Sequence, residues 1–155
     1  MNSMKNVLKI KNYLVKRKYK IGLCLGCFDI IHEGHIIHFK QAKEQCDILF
    51  VALTTDKYVD KGINRPYLNI KQRKSVVSSL RMVDYVFENT YEDTIALLEI
   101  FKPNIYIKGS DYKSGNYNKK FDEEKLWCEL NNVLVHYTQG QTNSSTAISD
   151  LIYNA

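Results

Sequence analysis

Ile48-Leu49-Phe50-Val51-Ala52-Leu53 is apolar at every position. Successive side chains of a strand point to opposite sides of its sheet, so a strand built from this run has no face to give to water. Such strands belong inside parallel sheets with helices over both faces. Shorter runs of the same kind recur at Ile21-Gly22-Leu23-Cys24-Leu25, Val83 to Phe87, Ile105-Tyr106-Ile107 and Val133 to His136. Helical spacing fills the gaps. His35 to about Cys46 turns Ile36, Phe39 and Ala42 inward, Asn69 caps a helix running to about Leu80, Asp93 to Phe101 stops before Pro103, and Glu123 to Leu130 is a further helix. A leading helix over Met1 to Lys20 carries Val7, Leu8, Tyr13, Leu14 and Val15 as an apolar stripe, and a last helix runs from Ser144 to Tyr153. The alternation predicts an α/β fold with a doubly wound, parallel, five-stranded sheet. A chain of 155 residues suits one core. We expect a helical lead-in over residues 1–20 and one domain over residues 21–155.

Composition narrows the class. With 45% hydrophobic and 25% charged residues, the chain is neither disordered nor fibrous. No apolar run approaches the ~18 residues of a membrane span, and the lysines of the N-terminus precede no apolar core of a secretory signal. The expectation is a soluble, cytoplasmic protein with no membrane partner. Cys24, Cys27, Cys46 and Cys128 are expected as reduced thiols. Cys24 and Cys27 form C-x-x-C, but no second such pair and no Cys/His pair completes a metal site. The net charge of +5 is concentrated partly in Lys5, Lys9, Lys11, Lys16, Arg17, Lys18 and Lys20, which suits an anionic ligand or a solvated basic helix. Basic and aromatic residues are not interleaved as in nucleic-acid modules, so no nucleic-acid partner is expected.

Ligands of parallel sheets bind at the carboxyl ends of the strands, and chemistry-bearing residues gather there. After the first run comes Gly26-Cys27-Phe28-Asp29-Ile30-Ile31-His32-Glu33-Gly34-His35. Two histidines at this spacing share one side of a helix start, where free N–H groups and the helix dipole already favour an anion. Gly26 and Gly34 permit close approach of backbone to a ligand. The polar loop Thr54 to Leu68 carries Lys57, Lys61-Gly62 and Arg65-Pro66, and Gln72-Arg73 opens the next helix. The fourth run ends in Lys108-Gly109-Ser110-Asp111-Tyr112, and the fifth leads to Thr138-Gln139-Gly140-Gln141-Thr142-Asn143-Ser144-Ser145-Thr146. Hydroxyls there suit either phosphate binding or helix capping. No carboxylate pair, Ser/His/Asp set or Cys/His set presents itself. Attack by a phosphate oxygen requires none, because positioning and charge stabilisation suffice.

The stretch G-x-F-D-x-x-H-x-G-H resembles the signature of the cytidylyltransferase-like nucleotidyltransferase family, whose HxGH motif binds the triphosphate. In its motifs the chain is closest to the heptose 1-phosphate adenylyltransferase domain and to glycerol-3-phosphate cytidylyltransferase. The resemblance implies that His32 and His35 stabilise the α-phosphate under attack, and that Gly26, Cys27, Phe28, Asp29 and Gly34 shape the turn beneath the nucleotide, although Asp29 equally suits a plain turn residue. Either Lys57 or Lys61 contacts phosphate, with Lys61 preferred because Lys61-Gly62 before Arg65-Pro66 looks like the K-G…R-P pattern of heptose-type domains. Arg73 matches the family arginine that holds phosphate, Lys108, Gly109 and Asp111 match a nucleotide-binding K-G-G-D-Y, and Ser144, Ser145 and Thr146 match the hydroxyls around the β- and γ-phosphates. Tyr137 departs from the arginine of the cytidylyltransferase R-T-E-G-x-S-T-T pattern, and two extra residues precede the hydroxyls. ATP and CTP both stay open, with Tyr137 and the Lys108–Tyr112 segment favouring ATP. The implied reaction joins a nucleotide to a phosphorylated small molecule and releases pyrophosphate. A sugar phosphate such as heptose 1-phosphate would give a nucleotide-activated sugar for surface polysaccharide or lipopolysaccharide precursors. The alternatives are an alcohol phosphate such as glycerol 3-phosphate, or a non-catalytic nucleotide-binding module. The family also implies Mg²⁺ carried by the triphosphate, with no metal cage from the protein, and a possible homodimer.

Overall fold

The computed structural model describes residues 4–112 and 119–140. Its elements are α1 (Met4–Lys16), β1 (Ile21–Gly26), α2 (Glu33–Glu44), β2 (Ile48–Thr54), α3 (Ile70–Ser78), β3 (Tyr85–Asn89), α4 (Thr94–Phe101), β4 (Ile105–Lys108), α5 (Lys119–Leu130) and β5 (Leu134–Tyr137), with 3-10 turns at Asp56–Tyr58 and Ser110–Tyr112. All strand pairs are parallel, and the sheet order is β3-β2-β1-β4-β5. The fold is the α/β class expected. The helix expected over Ser144 to Tyr153 lies outside the described residues, as do Ser144, Ser145 and Thr146.

The all-apolar β2 run divides between two cores. Phe50 and Ala52 pack with Val7, Leu97, Phe101 and Cys128 on the side of α1, α4 and α5. Leu49, Val51 and Leu53 pack with Phe39, Ala42 and Val77 on the side of α2 and α3. Val7 and Leu14 are buried in the first core, so α1 packs on the sheet rather than standing off it. Burying a side chain of this size stabilises by roughly 1.5–3 kcal/mol, which outweighs the weak intrinsic propensity of any short strand.

Polar pins set the strand starts. Asp47 accepts from Lys20 N at 2.6 Å, Asn104 Oδ1 from Ile21 N at 2.8 Å, and Asp84 Oδ2 from Leu49 N at 2.7 Å. The last pin explains why β3 starts at Tyr85 rather than Val83: the Val83–Asp84 segment serves β2 before the third strand begins. Gly22 is required by close approach, since a Cβ there would meet Cys46 Sγ at 2.6 Å. At the sheet edge, β5 leaves Leu134 62% exposed.

Asn69 caps α3 as the sequence indicates, accepting from Lys71 N and Gln72 N at 3.1 Å each, while Gln72 Oε1 accepts from Asn69 N at 3.0 Å. We expect Asn69→Ala to lower stability by about 1 kcal/mol, read as a lower urea midpoint with an unchanged slope.

Candidate active site

The mouth of α2 opens at the carboxyl edge of the sheet. His32 is its N-cap residue, with extended backbone and no side-chain cap bond, so its ring does not take the first amide N–H groups of the helix. The His32 and His35 rings lie 3.9 Å apart at 31°. Each has a buried Nδ1 without a hydrogen-bond partner. Phe28 fixes this pair from below. Its backbone takes φ 47°, an uncommon value for a side-chain-bearing residue, and its ring meets His35 edge-on at 5.3 Å. Gly26 makes room for that ring, since a Cβ there would sit 2.9 Å from it.

Burial, reinforced by the neighbouring His32, His38 and Lys61 charges, pushes His35 down to about 3. Burial and Lys61 lower His32 as well. Both rings are therefore neutral at physiological pH, with the Ile30 backbone in hydrogen-bond contact with the His35 ring, and positive charge must come from elsewhere. Lys61 supplies it. Its field reaches His32, His35 and the Cys27 thiol, whereas Lys57 lies over its neighbour Tyr58, with Nζ 3.3 Å from the phenol oxygen. Of the two lysines weighed from sequence, Lys61 is the one whose charge acts on the histidine rings. Burial raises the Cys24 and Cys27 thiols above their ordinary range, so both stay protonated.

Arg73 corrects the expectation of a phosphate clamp. It is 0% exposed, and its donors are already committed. Nε donates to Leu68 O at 3.0 Å, Nη1 to Cys27 O at 2.6 Å, and Nη2 to Thr54 O at 2.8 Å and Asp56 Oδ1 at 2.6 Å. The remaining Nη1 direction meets Cys27 Sγ at 3.9 Å. A guanidinium has five N–H groups, so none is left for a ligand. The residue ties the ends of β1 and β2 to the start of α3.

Lys108 is also turned away from the expected role. On β4, Tyr106 and Lys108 alternate with Ile105 and Ile107, which places the lysine on the α5 side of the sheet. Its Nζ lies 2.9 Å from Glu124 Oε2 and 4.1 Å from the centroid of the Tyr112 ring. The Tyr106 hydroxyl donates to the same Glu124 oxygen at 2.9 Å. What Lys108 contributes to the mouth is its carbonyl, which accepts from Thr138 N at 2.9 Å. Gly109 follows at the strand end, and Asp111 belongs to the 3-10 turn Ser110–Tyr112. The Ser110 hydroxyl donates to Gly140 O at 3.0 Å, joining the loops after β4 and β5.

Asp29 is a loop clamp. Its two buried oxygens accept from Tyr67 N and Leu68 N at 2.9 Å each, and Arg65 Nε lies 3.0 Å from Oδ2. This holds the β2–α3 loop against the histidine turn.

Two further residues of the site escape sequence reading. His38 stands one turn after His35, stacks on Phe28 at 6.3 Å, and meets Thr138 Oγ1 with Nδ1 at 2.8 Å. The spacing His32, His35, His38 is its only sequence signal. Arg65 was visible as part of a pattern, but its side chain proves 5% exposed beside Asp29, which no local pattern foretells.

Five parallel strands with a histidine pair at a helix mouth over their carboxyl edge define an α/β domain with a candidate ligand site at that edge. The cytidylyltransferase-like family model matches residues 23–150, and the chain belongs to that family. It is 34% identical over 139 residues to a bifunctional protein HldE of Helicobacter pylori strain J99, covering 88% of this chain and 29% of that one. It is 40% identical over 98 residues to a bifunctional protein HldE of Caulobacter vibrioides, covering 62% of this chain and 20% of that one. The chain thus spans less than a third of the length of these relatives. A solved lipopolysaccharide core biosynthesis protein of Thermoplasma volcanium shares the fold with TM-score 0.67 and 22% identity, over 80% of this chain and 99% of that one. Among the described residues, no helix is long and apolar enough to cross a membrane.

Two outcomes follow from the geometry. Arg73→Ala should cost about 2–4 kcal/mol, because three carbonyls lose their buried donor, and Arg73→Lys should recover only part of it, read by urea denaturation. The second concerns pH. Burial pushes His35 to about 3 and His38 to about 4, against 6.5 for each unperturbed ring. As pH falls through 6.5 the unfolded chain takes up protons that the fold refuses, so stability declines until the lowered values are passed. The denaturation midpoint should fall between pH 7 and pH 4.5, and His38→Gln should flatten part of that slope.

Proposed function

We propose that the chain transfers a nucleotide from a nucleoside triphosphate to a phosphorylated small molecule. The observation that carries this reading is the His32–His35 pair, neutral, with Nδ1 atoms that have no partner among the described residues, at a helix mouth that the N-cap side chain leaves uncapped, and within the field of Lys61. Neutral imidazole N–H groups, amide N–H groups and one lysine are a donor set for phosphate oxygens whose charge grows in the transition state. An oxygen of the acceptor phosphate bonds to the α-phosphorus. The bond from that phosphorus to the pyrophosphate oxygen breaks, and its electron pair leaves with pyrophosphate. No protein base is needed, since the attacking phosphate is already anionic.

Mg²⁺ is taken to arrive with the triphosphate. Among the described residues, no group of three His, Cys, Asp or Glu could hold a metal, and Asp29 is occupied by Arg65 and two loop amides. When bound, the ion would neutralise phosphate charge.

The similarity to HldE proteins and the Lys108-Gly109-Ser110-Asp111-Tyr112 segment support ATP as the nucleotide and a sugar phosphate of the heptose 1-phosphate kind as the acceptor. The product would be a nucleotide-activated sugar for a surface lipopolysaccharide, made in the cytoplasm. Pyrophosphate release, measured across four nucleoside triphosphates with heptose 1-phosphate and glycerol 3-phosphate, tests both choices. We expect the ATP and heptose 1-phosphate pair to lead, and CTP with glycerol 3-phosphate leading would overturn the choice of substrates. His35→Ala should lower turnover by about 10²–10³ while ATP affinity changes far less, because amide groups and Lys61 still hold the resting triphosphate. Unchanged turnover in that variant would remove the main support for the reading.

A further inference from the structure

Arg65 combines burial with idle donors. Its side chain is 5% exposed and its guanidinium lies 4.4 Å over the Tyr67 ring. Nε sits 3.0 Å from Asp29 Oδ2, within ion-pair distance, yet neither Nε nor Nη2 has an aligned hydrogen-bond partner, and both are shut off from water. Asp29 lies within ion-pair distance of the fork but is not aligned to accept from it, and each of its oxygens also accepts one amide, from Tyr67 or Leu68. A buried N–H of a charged group without an acceptor is costly, and each such group in a native structure calls for an explanation, of which an anionic ligand is one. The nearby cations differ in this respect. Lys61, Arg65 and Arg73 all act on the Cys27 thiol, but Arg73 has committed every donor to the protein.

Topology says which phosphate would come to it. In the order β3-β2-β1-β4-β5 the chain reverses direction between β1 and β4, and nucleotides enter parallel sheets at such a switch point. Arg65 belongs to the loop after β2, which lies across β1 from that crevice. In-line displacement requires the entering oxygen to approach the phosphorus opposite the leaving one.

We propose that Arg65 is the receptor for the acceptor phosphate: with Asp29 and Tyr67 holding its plane, it binds non-attacking oxygens of a phosphate monoester dianion and presents the remaining oxygen to the α-phosphorus at the histidine pair. This assignment rests on the transferase reading above. It adds a residue that selects the second substrate rather than the nucleotide.

The test measures the KM for heptose 1-phosphate, the inhibition constant of inorganic phosphate against it, and the dissociation constant of ATP with Mg²⁺ by calorimetry, on wild type, Arg65→Gln and Arg65→Lys. Loss of a charge-assisted contact should raise the first two about 10–100-fold in Arg65→Gln, with ATP binding changed less than about 3-fold. Arg65→Lys keeps the charge facing Asp29 but not the planar fork, so it should keep the melting temperature and still weaken acceptor and inorganic phosphate together. Acceptor KM and phosphate inhibition both unchanged in Arg65→Lys and Arg65→Gln would overturn the assignment, as would parallel loss of ATP affinity. If Arg65→Gln fails to fold, Arg65→Lys alone decides. A wild-type protein that turns over neither heptose 1-phosphate nor glycerol 3-phosphate overturns the transferase reading, and this one with it. Wild-type turnover with unaffected variants overturns this one alone.

Discussion

One buried guanidinium holds the catalytic edge of this domain together. Arg73 reaches from α3 to the carbonyl of Cys27 after β1, the carbonyl of Thr54 at the end of β2, and the carbonyl of Leu68 in the loop between. Those three carbonyls end segments whose regular partners have run out, and a parallel sheet has no turn of its own to satisfy them. The Asp56 carboxylate, 42% exposed, neutralises the charge at the rim without being buried itself. Because the counter-ion stays partly solvated, the arrangement avoids much of the carboxylate's share of the desolvation cost, while the carbonyl bonds offset that of the buried guanidinium. The histidine turn, the β2–α3 loop and the start of α3 are therefore one unit, and the positions of His32, His35 and Lys61 depend on it.

Around that unit the charges are sorted by function. Arg73 and Lys108 are cations of the scaffold, each answered by a carboxylate and surrounded by protein, Asp56 for one and Glu124 for the other. His32 and His35 are kept neutral by burial and by Lys61. A neutral imidazole can donate to an oxyanion without first losing charge–charge repulsion to its partner ring. Arg65, paired with Asp29 at 3.0 Å, keeps Nε and Nη2 without an aligned acceptor among the described residues. Lys61 stays exposed to solvent, whereas the Arg65 side chain is buried.

Most of the architecture was legible because it depends on local and nearest-neighbour chemistry. An apolar run with no polar face has one stable environment, and Ile48 to Leu53 found it, divided between the two cores. The Asn69 cap and the stop before Pro103 are equally local, since both concern backbone groups within a few residues. Element ends were less legible where distant groups decide them. β3 begins late because Asp84 is drawn to Leu49 N, a bond across 35 residues.

The sequence by itself determined the class of sheet, the strand after which the site begins, and the histidine pair with its glycine, since periodicity and a contiguous motif carry all three. Only the tertiary structure decided which cations are scaffold and which are free to meet a ligand. Arg65 and Arg73 are the same residue type eight positions apart, on one loop and the helix it enters. What separates them is the supply of acceptors. Arg73 lies among carbonyls contributed from 46 and 19 residues away, whereas Arg65 faces a carboxylate already engaged by two amides. A donor's role is set by the acceptors within about 3 Å of it, and in this fold those acceptors come from segments that are far apart in the chain.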